Sequence, residues 1–255
     1  MTTMKYSLCI EPVFEDVDFY DRIKLAAEAG LDAIEFWDCS DKDCAKIGKL
    51  ARQEKLTVAI CCLGDAWGHR LTGDPAAVVS YFKETIPRLR DMDCHAVIGL
   101  SGDLDGKADT QKNILIENLR RLAEVAEKEK ITICVEALNS IRDHKGYYLD
   151  SSVVGFEIMK CVNSPYIKLL YDIYHMQIME GNIIQNITAN IAYIGHFHSA
   201  GVPGRNEHHN GETDYTNVQK AIEKTAYGGF FGMEYWPTYD NRKSLSDVLA
   251  YLKRR

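Results

Sequence analysis

In the stretch Leu169-Leu170-Tyr171-Asp172-Ile173-Tyr174-His175-Met176-Gln177, an apolar run ends in an acid and a histidine follows three residues later. Continuous apolar runs of this kind mark strands buried on both faces, as in parallel sheets. The stretch therefore reads as the C-terminal end of a buried parallel strand entering a loop. Three other apolar runs end in similar chemistry: Ile131-Thr132-Ile133-Cys134-Val135-Glu136, Tyr193-Ile194-Gly195-His196-Phe197-His198 and Phe230-Phe231-Gly232-Met233-Glu234. Four strand ends that each deliver a metal-type ligand predict one site at the mouth of a barrel.

Working outward, short β-rich runs alternate with helical patterns along the chain. Strands are expected at 5–10, 32–37, 56–63, 95–100, 131–136, 167–172, 193–198 and 230–235. Helices are expected at 16–29, 41–53, from 74 onward, 110–130, 150–162, within 182–191, 215–226 and 244–252. Gly30 stops the first helix, and Asp74-Pro75 supplies an N-cap and a first-turn proline. Eight strand–helix units without a linker predict a single (β/α)8 TIM barrel over residues 1–255, its active site at the C-terminal face of the strands. An open doubly wound sheet usually announces a glycine-rich first turn. Here that turn is Glu11-Pro12-Val13-Phe14.

Composition narrows the function classes. The net charge is −7 and there is no basic block, which argues against nucleic acid as a partner. The C-terminal Lys253-Arg254-Arg255 reads as a solvated tail. No apolar run approaches the roughly 20 residues of a membrane span, and Met1-Thr2-Thr3-Met4-Lys5 lacks a signal-peptide pattern. Of the eight cysteines, Cys9, Cys61, Cys62 and Cys134 sit inside apolar strand patterns, and no CxxC occurs. The expectation is reduced, buried thiols in a cytoplasmic protein. Homo-oligomerisation is left open.

On a barrel, residues from different strand ends converge on one face. Glu136, Asp172, His198 and Glu234 close four consecutive strands, which form one arc. A lone glutamate at a strand end is most often solvated or salt-bridged; four such residues in a row suit a divalent ion instead. The oxygen-rich set favours Mn²⁺ or Mg²⁺, with Zn²⁺ or Co²⁺ as the other candidates. Arg205, in a glycine-rich loop after the seventh strand, could clamp a carboxylate or pair with Glu207. Trp67 suits either the pocket mouth or the core. His208-His209 reads as an exposed loop pair, and His69, His95 and His144 carry no separable signal.

Glu136-Ala137-Leu138-Asn139, the run Tyr171 to Gly181, Gly195-His196-Phe197-His198, Pro203-Gly204-Arg205-Asn206-Glu207 and Gly232-Met233-Glu234-Tyr235 resemble the sugar isomerase/epimerase (xylose isomerase-like) barrels. Within them the chain looks most like hydroxypyruvate isomerases. The resemblance implies that Glu136, Asp172, His198 and Glu234 bind the metal and that Glu136 and Glu234 also act as acid and base. The reaction it implies is isomerisation of a small hydroxy-keto acid through a metal-stabilised enediolate. The substrate would be hydroxypyruvate, giving tartronate semialdehyde, or a 2-oxo-tetronate.

Hydroxypyruvate isomerases commonly have Gln where this chain has His198, whereas ketose 3-epimerases have His, so a ketose 3-epimerase is the alternative. By the same resemblance His175 contacts substrate oxygens. Arg142 lies near where the epimerases carry a substrate-binding Glu, and a cation there suits an acidic substrate. An abasic-site endonuclease, which needs more metal ligands and a basic groove, and a non-catalytic binding barrel are the remaining rivals.

Overall fold

The eight apolar runs form eight strands in the computed structural model, which describes residues 4–254. Met1, Thr2 and Thr3 of the N-terminal stretch, and Arg255 of the C-terminal tail, lie outside the described residues. The strands are β1 (Lys5–Cys9), β2 (Ala33–Phe36), β3 (Thr57–Cys62), β4 (Ala96–Leu100), β5 (Thr132–Glu136), β6 (Ile167–Asp172), β7 (Ile194–Ser199) and β8 (Phe230–Met233). Neighbours pair in parallel in sequence order, and β8 pairs with β1, so the barrel closes. Closure removes both sheet edges. It leaves the strands buried on both sides, which is why they read as continuous apolar runs.

Local chemistry places the helices between them. The Asp74 carboxylate accepts the Ala77 N–H at 2.9 Å, and Pro75 opens the helix Pro75–Met92. Gly30 takes φ +77°, the left-handed turn that ends the first long helix, Phe19–Glu28, at little steric cost. The stretch after Asp172 departs from the expected loop. Asp172 Oδ1 accepts the Tyr174 N–H at 2.8 Å and starts the helix Ile173–Met179 directly at the strand end. A carboxylate that caps its own following helix replaces the loop.

Two register irregularities are recorded in the barrel. One falls between Ile34 and Glu35 on β2 against β3, the other between Leu169 and Leu170 on β6 against β7. Such bulges re-aim side chains, often beside active sites. Gly195 is the residue skipped on β7; a Cβ there would meet Cys134 Sγ and Lys168 Cβ at 2.7 Å. Beyond it, Asp172, His198 and Gly232 stand in register across β6, β7 and β8.

The loop after β7 is pinned rather than free. Gly201 N–H bonds Asn206 O at 2.8 Å, Trp236 N–H bonds Arg205 O at 2.9 Å, and Asn206 Nδ2 donates to Trp236 O at 2.8 Å. The Glu207 carboxylate accepts from Thr238 N (2.8 Å), Thr238 Oγ1 (2.9 Å) and Ser244 Oγ (2.8 Å), so it pairs with these groups and not with Arg205. His208 is buried, not an exposed loop residue. The Ser199 hydroxyl donates to Gly232 O at 2.7 Å, so the 2.9 Å contact with His208 Nε2 must be a ring N–H donating to Ser199 Oγ.

Burial pushes His208 down to about 3 from its ordinary 6.5. The unfolded chain takes up a proton below about 6.5, whereas the folded one does not until about 3. His208 therefore contributes stability that is present above pH 6.5 and is lost as pH falls from 6.5 toward 3. His208→Gln, which keeps a donor for Ser199, should flatten this limb by up to about 1.4 kcal/mol per pH unit. Urea unfolding at several pH values would measure it; parallel acid limbs in the two proteins would exonerate His208.

Candidate active site

Glu136 and Asp172 are the last residues of β5 and β6, His198 is the last but one of β7, and Glu234 follows β8 directly. All four are buried, and one donor atom from each lies within 4.8 Å of the others. His198 Nδ1 stands 3.2 Å from Glu234 Oε2 and 3.6 Å from Glu136 Oε1. That nitrogen is buried and has no hydrogen-bond partner among the described residues. Asp172 spends Oδ1 on its helix cap and leaves Oδ2 facing the cluster. Three carboxylates and an orphaned imidazole nitrogen converging on one point could hold a divalent ion.

Arg205 enters the same cluster. Its Nη2 bonds Glu234 Oε2 and lies 3.3 Å from Asp172 Oδ2. The guanidinium sits beside the rings of Tyr174 (5.1 Å) and Trp236 (5.3 Å). Its backbone takes φ +58°, a left-handed conformation uncommon outside glycine and frequent at functional sites.

The charges settle unequally. Burial pushes the Glu234 carboxyl up, but Arg205 and His198 outweigh it and hold the group at about 2. Trp37 Nε1 adds a bond to Glu234 Oε1 at 2.6 Å. Asp172, with the longer contact to Arg205, is raised by burial to about 7. His198 is raised as well: the cost of burying its charge is overcome by Glu35 and Glu234.

His175 is the third residue of the helix that Asp172 caps, in its first turn and not in a loop. Asn139 fixes its tautomer. Asn139 Oδ1 accepts the backbone N–H of Arg142 (3.0 Å) and of Asp143 (2.9 Å), so its amide nitrogen must face Asp143 Oδ2 (2.8 Å) and His175 Nδ1 (2.6 Å). His175 Nδ1 is therefore an acceptor and Nε2 carries the proton. Burial keeps the ring neutral, and Nε2 lies 3.4 Å from Asp172 Oδ2.

The site opens into a cavity of about 250 Å³. The candidate residues Glu136, His175, His198, Arg205 and Glu234 line it, with Trp37, Trp67, His144 and Trp236 around the mouth. Arg142 is exposed and is not among the residues that line the cavity. The turn that Asn139 caps brings His144 to the pocket instead, where it stacks under Trp67 with ring centres 5.3 Å apart. Trp37 and His144 line the cavity and Glu35 and His196 meet behind His198; none of the four is expected at the site from the sequence. Glu35 left one usable signal, a charged residue at mid-strand in the apolar run Ala33-Ile34-Glu35-Phe36.

A parallel eight-stranded barrel with acids at consecutive strand ends defines a class in which the C-terminal face does the chemistry. The model of the xylose isomerase-like TIM barrel family matches residues 23–255, and the chain belongs to that family. Among curated relatives, the 2-oxo-tetronate isomerase of Cupriavidus necator is 30% identical, over 98% of this chain and 99% of that protein. The hydroxypyruvate isomerase of Escherichia coli is 29% identical, over 92% and 94%. Among solved structures, an AP endonuclease of family 2 from Brucella melitensis superimposes with a TM-score of 0.91 at 27% identity, over 98% of this chain and 99% of that one. D-psicose 3-epimerase from Clostridium cellulolyticum H10, at 20% identity and TM-score 0.80 over 98% of each chain, shares the fold.

Protons held at Asp172 and His198 must leave before a cation enters, so metal affinity should rise with pH. Adding Mn²⁺ should raise the melting temperature of the wild type, more at pH 8 than at pH 6, because Asp172 titrates at about 7. Asp172→Ala should abolish the shift. An equal shift in that variant would remove Asp172 from the donor set.

Proposed function

We propose that this chain is a metal-dependent isomerase of a small hydroxy-keto acid, of the hydroxypyruvate or 2-oxo-tetronate type. The observation that carries the reading is the pair Glu136 and Glu234, 3.6 and 3.2 Å from His198 Nδ1 and lining one small cavity. A divalent ion held by Glu136, Asp172, His198 and Glu234 would polarise the substrate carbonyl and the neighbouring hydroxyl, acidifying the carbon-bound proton. For hydroxypyruvate, one glutamate takes a proton from the hydroxymethyl carbon. A proton is then delivered to the former carbonyl carbon, and the hydroxyl proton passes to the other oxygen, giving tartronate semialdehyde with no net loss of atoms.

The other side chains orient. His175, held as the Nε2–H tautomer by Asn139, offers one fixed donor to a substrate oxygen. Arg205 is the arginine in the lining; its Nη2 faces Glu234 and Asp172, and the rest of its planar guanidinium is the group that would meet a substrate carboxylate. Trp37, Trp67 and Trp236 add apolar surface to the lining against which the substrate carbons can pack.

One observation favours a second reading, a ketose 3-epimerase. Asp38 and Asp65 also line the cavity, and acids there suit the hydroxyls of a neutral sugar. The same two glutamates would then remove and return a proton at a single carbon. The net charge of −7 speaks against abasic DNA as substrate. The two intact carboxylates speak against a purely binding role.

With Mn²⁺ and a hydroxy-keto acid in D₂O, the wild type should place deuterium on the carbon next to the carbonyl. Glu136→Gln and Glu234→Gln should each lose at least about 10²–10⁴-fold in turnover. Near-normal turnover in either would end the two-glutamate mechanism, and no exchange in the wild type would leave a binding protein.

Substrate charge has its own measurement, kcat/KM for an acid and for its uncharged ketose analogue. The acid should be preferred. Arg205→Lys should hurt it more than the ketose, since lysine keeps the charge but loses the fork. A wild-type preference for the ketose moves the assignment to the epimerases.

A further inference from the structure

Below the candidate metal donors lies a carboxylate that the proposed reaction does not use. Glu35 points into the barrel interior from β2 and is buried. Its Oε2 contacts His198 Nε2 at 2.7 Å and His196 Nε2 at 3.0 Å, and its Oε1 accepts the Ser7 hydroxyl. The carboxylate thus reaches from β2 across β1 and β8 to β7. Room for it depends on a missing side chain: a Cβ on Gly232 would fall 2.4 Å from Glu35 Oε1 and 2.9 Å from His198 Cδ2. Both recorded register irregularities adjoin this group, one at Glu35 and one just before His196. A buried charge in a barrel core is costly, and an apolar residue would pack there at less expense.

We propose that Glu35 is a positioning residue for the metal centre: it holds His198 by Nε2 so that Nδ1 is the nitrogen presented to the ion. The proposal rests on the reading of Glu136, Asp172, His198 and Glu234 as metal donors. The ring geometry allows little else. With Nε2–H donating to a carboxylate, Nδ1 must be the free lone pair once a cation replaces its proton, and Nδ1 is the orphaned atom aimed between Glu136 and Glu234. A carboxylate behind a ligating imidazole fixes its tautomer and orientation and strengthens it as a donor.

His196, two residues earlier on the same face of β7, donates to the same oxygen, and Ser7 holds the other. Glu35, His196 and His198 could themselves be read as a second metal group. Their contacts of 2.7 and 3.0 Å are hydrogen-bond lengths, and the Ser7 hydroxyl already occupies the remaining oxygen.

The experiment measures Co²⁺ binding to the full chain by calorimetry, with the ligand-field spectrum recorded alongside. Wild type should bind one equivalent. Glu35→Gln should weaken binding about 10–100-fold, with an altered spectrum. The discriminating step is a double-mutant cycle with His198→Gln, which places an amide oxygen at the metal position. In that background Glu35→Gln should cost no further affinity, because the imidazole through which it acts is gone; a merely structural role would cost the same in both backgrounds.

Should Glu35→Gln not fold, Ser7→Ala removes one bond to the same carboxylate, and about two- to tenfold weaker binding is expected. Unchanged affinity in the variant tested, or an additive cycle, overturns the proposal and leaves the donor set standing. Two equivalents bound by wild type, falling to one in Glu35→Gln, would make Glu35 a ligand instead. No Co²⁺ bound by wild type takes down the donor set and this proposal together.

Discussion

Glu136, Asp172 and Glu234 bring three carboxylates within 4.8 Å of one another, away from water. Two unit charges about 4 Å apart repel by roughly 4 kcal/mol even at an effective dielectric of 20. Without cations such a cluster would swell or take up protons. The structure answers with His198 and Arg205 and with an Asp172 carboxyl that burial raises to about 7, the acid whose contact to Arg205 is the longer. The strands hold the carboxylates at fixed separation, and the pinned loop after β7 holds the guanidinium. Much of what surrounds the site can be understood as a means of keeping like charges together. That arrangement could hold a divalent ion.

This constraint also explains what the sequence discloses. A ligand at a strand end must follow directly on a buried run, so Glu136, Asp172, His198 and Glu234 are visible as polar residues that terminate apolar ones. Eight alternations of strand and helix make the barrel legible for a similar reason, since each strand must be apolar on both sides. What is hidden depends on distances across the barrel. His196 looks like half of a His-x-His pair until Glu35, from β2, is seen to bond both rings. Trp37 gives no hint that its indole reaches Glu234. In the loop from Asn139 to Tyr148, turn geometry set by Asn139 decides which residue faces the pocket, and spacing alone does not show that it is His144.

His175 shows a subtler limit. Its spacing from Asp172 marks it in sequence, but its chemical state does not follow from spacing. That state is set by two backbone N–H groups that orient the Asn139 amide, which in turn can only donate to the ring. The result is a neutral imidazole with a single known donor, delivered by a short helix that an aspartate caps. Asp172 thereby serves two structures at once. One oxygen starts the helix that carries His175, and the other faces the cluster.

The two functional readings differ less in chemistry than in what grips the substrate. Isomerisation and epimerisation both require a carbon-bound proton to be removed beside a polarised carbonyl, and the proposed pair of glutamates would serve either. The distinction lies in the rest of the lining, where Arg205, beside Glu234, favours a carboxylate while Asp38 and Asp65 favour hydroxyls. Those three residues sit on loops, whereas the glutamates sit at strand ends. Loops on a rigid barrel can change length and charge without disturbing the core. A donor set fixed by strand register can therefore coexist with different substrate grips. The residues that could commit this chain to an acid are accordingly ones whose orientation only a folded structure reveals.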